Sequence, residues 1–151
     1  MKIVVASDHA GFELKVQLKQ FLIQLGHEVT DVGAYTPNVP ADDYPFLASA
    51  AAKLVVAKES ERAILMCGTG IGMAIAANKV PGARAAVCND LFSARKSREH
   101  NDANICGLGA RMIGLGLAKE IVQLWLATSF DEGRHGERVE KYNEIEREFY
   151  S

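Results

Sequence analysis

The sequence predicts an α/β protein: a three-layer α/β/α arrangement built on a five-stranded parallel sheet, with an extra helix at the C-terminal end. Two observations carry that prediction. Short β-branched apolar runs alternate along the chain with stretches whose apolar residues recur at helical spacing. The size and composition suit such a fold, with 151 residues of which 48% are hydrophobic and 24% charged. That is long enough to bury roughly two thirds of the unfolded surface in one domain over residues 1–151.

The elements follow in order. KIVVAS (2–7) reads as a buried strand bounded by Asp8 and His9. Leu14, Leu18, Phe21, Leu22 and Leu25 then mark one face of a helix that Gly26 stops. EVTDVG (28–33) is the second strand, and a proline-containing loop (34–43) leads to an alanine-rich helix over 43–58. RAILMC (62–67) is the third strand, with a helix over 71–80 ended by Pro81-Gly82. RAAVC (84–88) and NICGLG (104–109) are the fourth and fifth strands, separated by a helix over 91–99. GLAKEIVQLWLA (116–127) is a strongly apolar helix, and the tail from Phe130 ends in a charged amphipathic helix, VEKYNEIEREFY. This alternation is that of a Rossmann-like open sheet with helices on both faces. Val139, Tyr142, Ile145 and Phe149 lie at helical spacing in the tail. A solvated surface helix and a helix docked on a second subunit fit them equally well. No internal repeat, low-complexity segment or linker divides the chain.

Composition excludes several classes. A net charge of −2 gives no global field toward nucleic acid or an anionic membrane. No apolar run approaches the roughly 18 residues of a membrane-spanning helix. The start, MKIVVASDH, turns polar too soon for a secretory leader. Cys67, Cys88 and Cys106 form no C-x-x-C pair and are odd in number, as expected of reduced thiols in a cytoplasmic protein.

In open α/β sheets ligands bind outside the carboxyl ends of the strands. Those ends carry Asp8-His9, Gly33, Cys67-Gly68-Thr69-Gly70, Cys88-Asn89-Asp90 and Gly107-Leu108-Gly109. The third is the richest. Gly68, Gly70 and Gly72 lie between a strand and a helix start, where unpaired backbone N–H groups favour an anion. The loop is not a P-loop, since no Lys-Ser/Thr follows, and its glycine spacing is not that of a dinucleotide fold. Cys67 at its head reads as core filler, metal ligand, redox centre or catalytic group. A thiol beside a helix amino terminus ionises more readily, which favours chemistry over filler. Cys88 and Cys106 lack such a loop and read as structural.

Of His9, His27, His100 and His135, His9 ends a strand and His100 ends a helix in SREHND, while His27 reads as surface. A zinc site from Cys67, His9 and His100 lacks the close pair of ligands such sites usually show, so no metal is expected. Arg134 and Arg138 are four apart. They suit a phosphate clamp if helical, but spacing alone favours a solvated face paired with Glu132 and Glu137.

SDHAGFELK, DYP (43–45), CGTGIGMAIAANK, ARAAVCND, SREHNDANI and EGRHGERV, in this order along nearly the whole chain, resemble the ribose-5-phosphate isomerase B family, which includes the galactose-6-phosphate isomerase subunits. The resemblance implies a sugar-phosphate aldose–ketose isomerase of the pentose phosphate pathway. Such an enzyme interconverts ribose 5-phosphate and ribulose 5-phosphate through a cis-enediolate after ring opening, with no metal or organic cofactor. It implies that Cys67 is the proton-shuttling base and that the backbone around Gly68, Gly70, Ile71 and Gly72 holds the enediolate oxygens. His100, helped by Thr69, would open the ring. Asp8, Tyr44 and Asn101 would contact hydroxyls or the ring oxygen, and His9, Arg134 and Arg138 would bind phosphate, with Arg111 in addition. The arginine pair would enter a partner's site, making the unit a homodimer, with tetramers left open and the tail (130–151) docked on the partner. A branch of the family has a catalytic glutamate just after the glycine loop. Met73 stands there in this chain, which leaves Cys67 as the base. The alternatives are the same chemistry on galactose or allose 6-phosphate and a non-catalytic sugar-phosphate or nucleotide binder on the same fold.

Overall fold

The computed structural model describes residues 1–38 and 43–150, so part of the proline-containing loop predicted over 34–43 lies outside the described residues. Five strands form the sheet: β1 (Lys2–Ser7), β2 (Glu28–Asp31), β3 (Arg62–Cys67), β4 (Ala85–Val87) and β5 (Ile105–Gly109). The helices are α1 (Phe12–Gln24), α2 (Tyr44–Val56), α3 (Ile71–Ala77), α4 (Leu91–Glu99), α5 (Leu115–Ala127) and α6 (Arg134–Tyr150). The strand order is β2-β1-β3-β5-β4, and every pairing is parallel. The predicted α/β/α class with its C-terminal helix is therefore what the chain forms.

Side-chain alternation along the strands assigns the two faces. Ile3, Val5, Ile64, Met66, Cys106 and Leu108 pack with α1, α4 and α5 around the buried Trp125. Val4, Ala6, Ala63, Leu65, Cys67 and Ile105 face α2 and α3. Small residues on α2, Ala48, Ala51 and Ala52, bring that helix close to the sheet. Cys88 and Cys106 are fully buried on the α1/α4/α5 side, and the hydrogen bond to Cys88, together with burial, holds the Cys106 thiol well above its ordinary value. Among the described residues no helix is long and apolar enough to cross a membrane.

β1 runs out to β2 on one side, and the chain then returns to β3 on the other, so the topological switch lies between β1 and β3. Their carboxyl ends are pinned together. Ser7 pairs with Met66, and the Asp8 amide donates to the Met66 carbonyl at 3.2 Å. Gly11, just before α1, sits so close to β3 that a Cβ there would lie 2.3 Å from the Met66 carbonyl oxygen. Only glycine permits that approach.

β2 ends at Asp31, two residues earlier than predicted, because the carboxylate turns back to accept from the Gly33 amide at 2.9 Å. Asp31 also accepts from the buried Lys15 Nζ at 2.8 Å and from Lys19 Nζ at 3.4 Å, and Lys15 donates to the Ala34 carbonyl as well. Burial raises the Asp31 pKa, but the hydrogen bonds from Lys15 and Gly33 and the two lysine charges outweigh it, so the net shift is downward. The folded state therefore binds fewer protons than the unfolded chain near pH 4. This contribution is present above the ordinary carboxylate range and is lost as pH falls through the folded value. Melting temperature should drop on the acid side below about pH 4, and Asp31→Asn should lower stability at pH 7 while flattening that drop. Parallel pH profiles for the two proteins would show that Asp31 plays no part.

Candidate active site

Cys67 is the last residue of β3 and lies opposite Gly109 of β5. Alternation turns its side chain toward the α2/α3 layer, and hence toward the start of α3. There the Gly70 amide donates to Cys67 Sγ at 3.1 Å. Gly70 caps α3 with φ +82°, a left-handed conformation, and its Cα is wedged against β5 so that a Cβ would meet Leu108 C at 3.0 Å. Glycine is required on both counts, and the result is a thiol facing a backbone N–H donor.

The rest of the loop is fixed by its neighbours. Thr69 is exposed, and its Oγ1 accepts from the Ile71 amide at 3.2 Å. The Thr69 carbonyl accepts from Asn89 Nδ2 at 3.0 Å, while Asn89 Oδ1 accepts from the Gly109 amide at 2.7 Å. Asn89 thus ties the glycine loop to the end of β5. Sequence reasoning placed Asn89 at a strand end without giving it a role, because the tie is to residues twenty positions away on either side. The Ala110 and Arg111 amides donate to the Cys67 and Gly68 carbonyls at 2.8 and 3.0 Å. This sets the Arg111 guanidinium across Gly68, where a Cβ would stand 3.5 Å from Nη1. Tyr44, the first residue of α2, lays its ring over Gly72, and a Cβ there would be 2.8 Å from the hydroxyl. Asp8 Oδ1 accepts from the Gly11 amide at 2.9 Å, and His9 is exposed on the same turn. Asp8, His9, Tyr44, Cys67 to Gly72 and Arg111 therefore gather at the carboxyl edge of the sheet.

The other predicted residues lie at the opposite edge. α4 runs back from the end of β4, and His100 caps its C-terminus just before β5 begins. Ile105 pairs with Ala63 and Gly109 with Cys67, so the rise along β5 alone separates the two ends by roughly 13 Å. Asn101 Nδ2 donates to the Tyr142 hydroxyl of α6 at 3.1 Å. The Asp131 amide donates to the Glu99 carbonyl at 3.0 Å, bringing the start of α6 beside His100. The His135 ring stacks on the His100 ring with centroids 4.1 Å apart and planes within 6°. Burial, then the positive neighbours His100, Arg134 and Arg138, push the His135 pKa down, favouring a neutral imidazole. α6 begins at Arg134, a turn earlier than the charged stretch suggested, so Arg134 and Arg138 share one exposed face. The trio Cys67, His9 and His100 is not brought together. Sequence reasoning gave His135 no role, since a lone histidine in a polar tail carries no periodic signal.

The family model described as Ribose/Galactose Isomerase matches residues 3–142. The ribose-5-phosphate isomerase B of Escherichia coli is 45% identical over 146 residues, covering 97% of each chain. The D-erythrulose-4-phosphate isomerase of Pectobacterium atrosepticum is 42% identical over 148 residues, covering 98% of this chain and 97% of the other. The solved structure of Clostridium thermocellum ribose-5-phosphate isomerase B superposes with a TM-score of 0.96 at 50% identity over 99% of both chains. With a glycine loop holding a cysteine at the switch point and these matches over nearly its full length, the chain belongs to the ribose/galactose isomerase family.

Proposed function

We propose that the protein interconverts ribose 5-phosphate and ribulose 5-phosphate, at a site completed by a second copy of the chain. The observation that carries this reading is the Gly70 amide donating to Cys67 Sγ at the switch point, on the same sheet edge as Asp8, His9, Tyr44 and Arg111. A thiolate so placed takes the C2 proton of the open-chain aldose and returns it to C1, while a proton moves between the C1 and C2 oxygens. The oxidation at C2 equals the reduction at C1, so no external redox partner is needed. Charge builds on the enediolate oxygens, and the backbone N–H groups of Gly68 and Gly72 receive it, while the Ile71 amide is engaged by Thr69 Oγ1 in the free chain. The Gly70 amide serves the sulfur in the free chain.

His100, aided by Thr69, opens the furanose by protonating the ring oxygen, and Asn101 and Asp8 hold sugar hydroxyls. His9 and Arg111 anchor the phosphate from one chain, and Arg134 and Arg138 from the second. The opposite placement of Cys67 and His100 within one chain supports two-chain sites. So does the exposed apolar set on α6, Tyr142, Ile145, Phe149 and Tyr150, which suits a tail over 130–151 docked on the partner. Three reduced, buried thiols fit a cytoplasmic setting.

Family members act on sugar phosphates of different length, so the deciding test is kcat/KM across ribose 5-phosphate, galactose and allose 6-phosphates and a four-carbon ketose phosphate. The expected result is the highest value on ribose 5-phosphate, not lowered by a chelator. A higher value on another sugar would reassign the substrate. Binding of the whole panel without turnover would make the protein a sugar-phosphate binder.

A further inference from the structure

The geometry points to a binding site for a borderline divalent transition ion, such as Zn²⁺ or Co²⁺, formed by His100, Asp131 and His135. One nitrogen of each imidazole and one carboxylate oxygen all lie within 4.8 Å of one another. Two imidazoles and a carboxylate suit zinc and its neighbours in the first row, whereas magnesium and calcium favour all-oxygen shells. The two rings are stacked and nearly parallel, so their in-plane lone pairs run side by side and the rings must tilt apart about χ2 to aim a nitrogen each at one ion.

A second observation concerns His135 itself. His135 is buried, and among the described residues its Nδ1 has no hydrogen-bond partner. A buried imidazole with an unanswered nitrogen is costly unless something completes it, and a metal ion can. The backbone is fixed around it, with the Asp131 amide bonded to the Glu99 carbonyl and the His135 amide to the Glu132 carbonyl. Arg134 and Arg138 oppose a cation here, and the Asp131 carboxylate offsets them only in part.

Binding itself is independent of the isomerase reading. Its consequence rests on that reading: an ion held by His100 withdraws the ring-opening group, so the site inhibits. The metal would act as a brake rather than a cofactor.

The test titrates chelator-treated full-length protein with Co²⁺, following its visible d–d absorption, with no sugar present. Wild type and Cys67→Ser should each take one ion per chain without a thiolate charge-transfer band. His135→Phe, which keeps a flat ring against His100, and Asp131→Asn should each weaken binding by at least about tenfold. In parallel, Zn²⁺ should inhibit wild-type turnover reversibly and His135→Phe at least about tenfold less sensitively. No Co²⁺ binding to wild type, binding unchanged in both variants, or binding lost in Cys67→Ser would each overturn the site. The absorption readout needs no turnover, so an inactive protein still tests the site, and failure of the site leaves the isomerase reading untouched.

Discussion

Replacing Cys67 with alanine should lower isomerase turnover by roughly 10³-fold or more while leaving the fold intact. Cys67 ends β3 almost fully buried, and alanine removes little volume, so the cost is the small packing loss plus the unanswered Gly70 amide, about 1–2 kcal/mol. Phosphate affinity should hold, because His9 and Arg111 are carried by other elements. Cys67→Ser separates the two functions of the sulfur. The hydroxyl still accepts from the Gly70 amide, but it is a far weaker acid and supplies no base near pH 7. Both variants should therefore be folded and inactive. The measurements are steady-state rates on ribose 5-phosphate and thermal melts. Either variant retaining more than about a tenth of wild-type kcat would remove Cys67 from the base role, since positioned general bases contribute 10² or more.

The second large effect concerns assembly. Cys67→Ala and His100→Asn should each be inactive as homomers, yet recover activity when their chains are mixed. In a two-fold symmetric dimer each site takes its carboxyl-edge half from one chain and its amino-edge half from the other. A mixed dimer then has one site with both defects and one with neither. Random pairing makes half the dimers mixed, so about a quarter of wild-type activity should return. Differently tagged chains, dissociated and reassembled together, permit the measurement. Mixed species recovered through both tags but without activity would show that Cys67 and His100 act within one chain. The predicted recovery rests on the proposed two-chain site, which this placement favours. α4 carries His100 away from the edge at which β3 delivers Cys67, and no rotamer spans the sheet.

Much of this was legible in the sequence. β1, β3 and α4 fall where the apolar runs KIVVAS and RAILMC and the span 91–99 place them. The other elements differ by a few residues at their ends, where capping and turn contacts decide. β2 stops early because the Asp31 carboxylate captures the Gly33 amide, a contact that apolar patterning does not encode. The head of α6 was hidden because Arg134 and His135 belong to a polar stretch, and only burial of His135 and Val139 ties that turn to the body.

The sequence by itself determined the alternation of strands and helices, the glycine loop after the third strand, and the cysteine at its head. These are local matters: periodicity of two and of 3.6, and glycine where the backbone must bend back. Tertiary structure alone decided the strand order, the face on which Cys67 lies, the Asn89 tie between two loops, and the pairing of His100 with His135. It also decided that the residues expected to share one site occupy two edges of the sheet. Those relations join positions distant in sequence, and they exist only once parallel strands fix which end of each helix faces which edge.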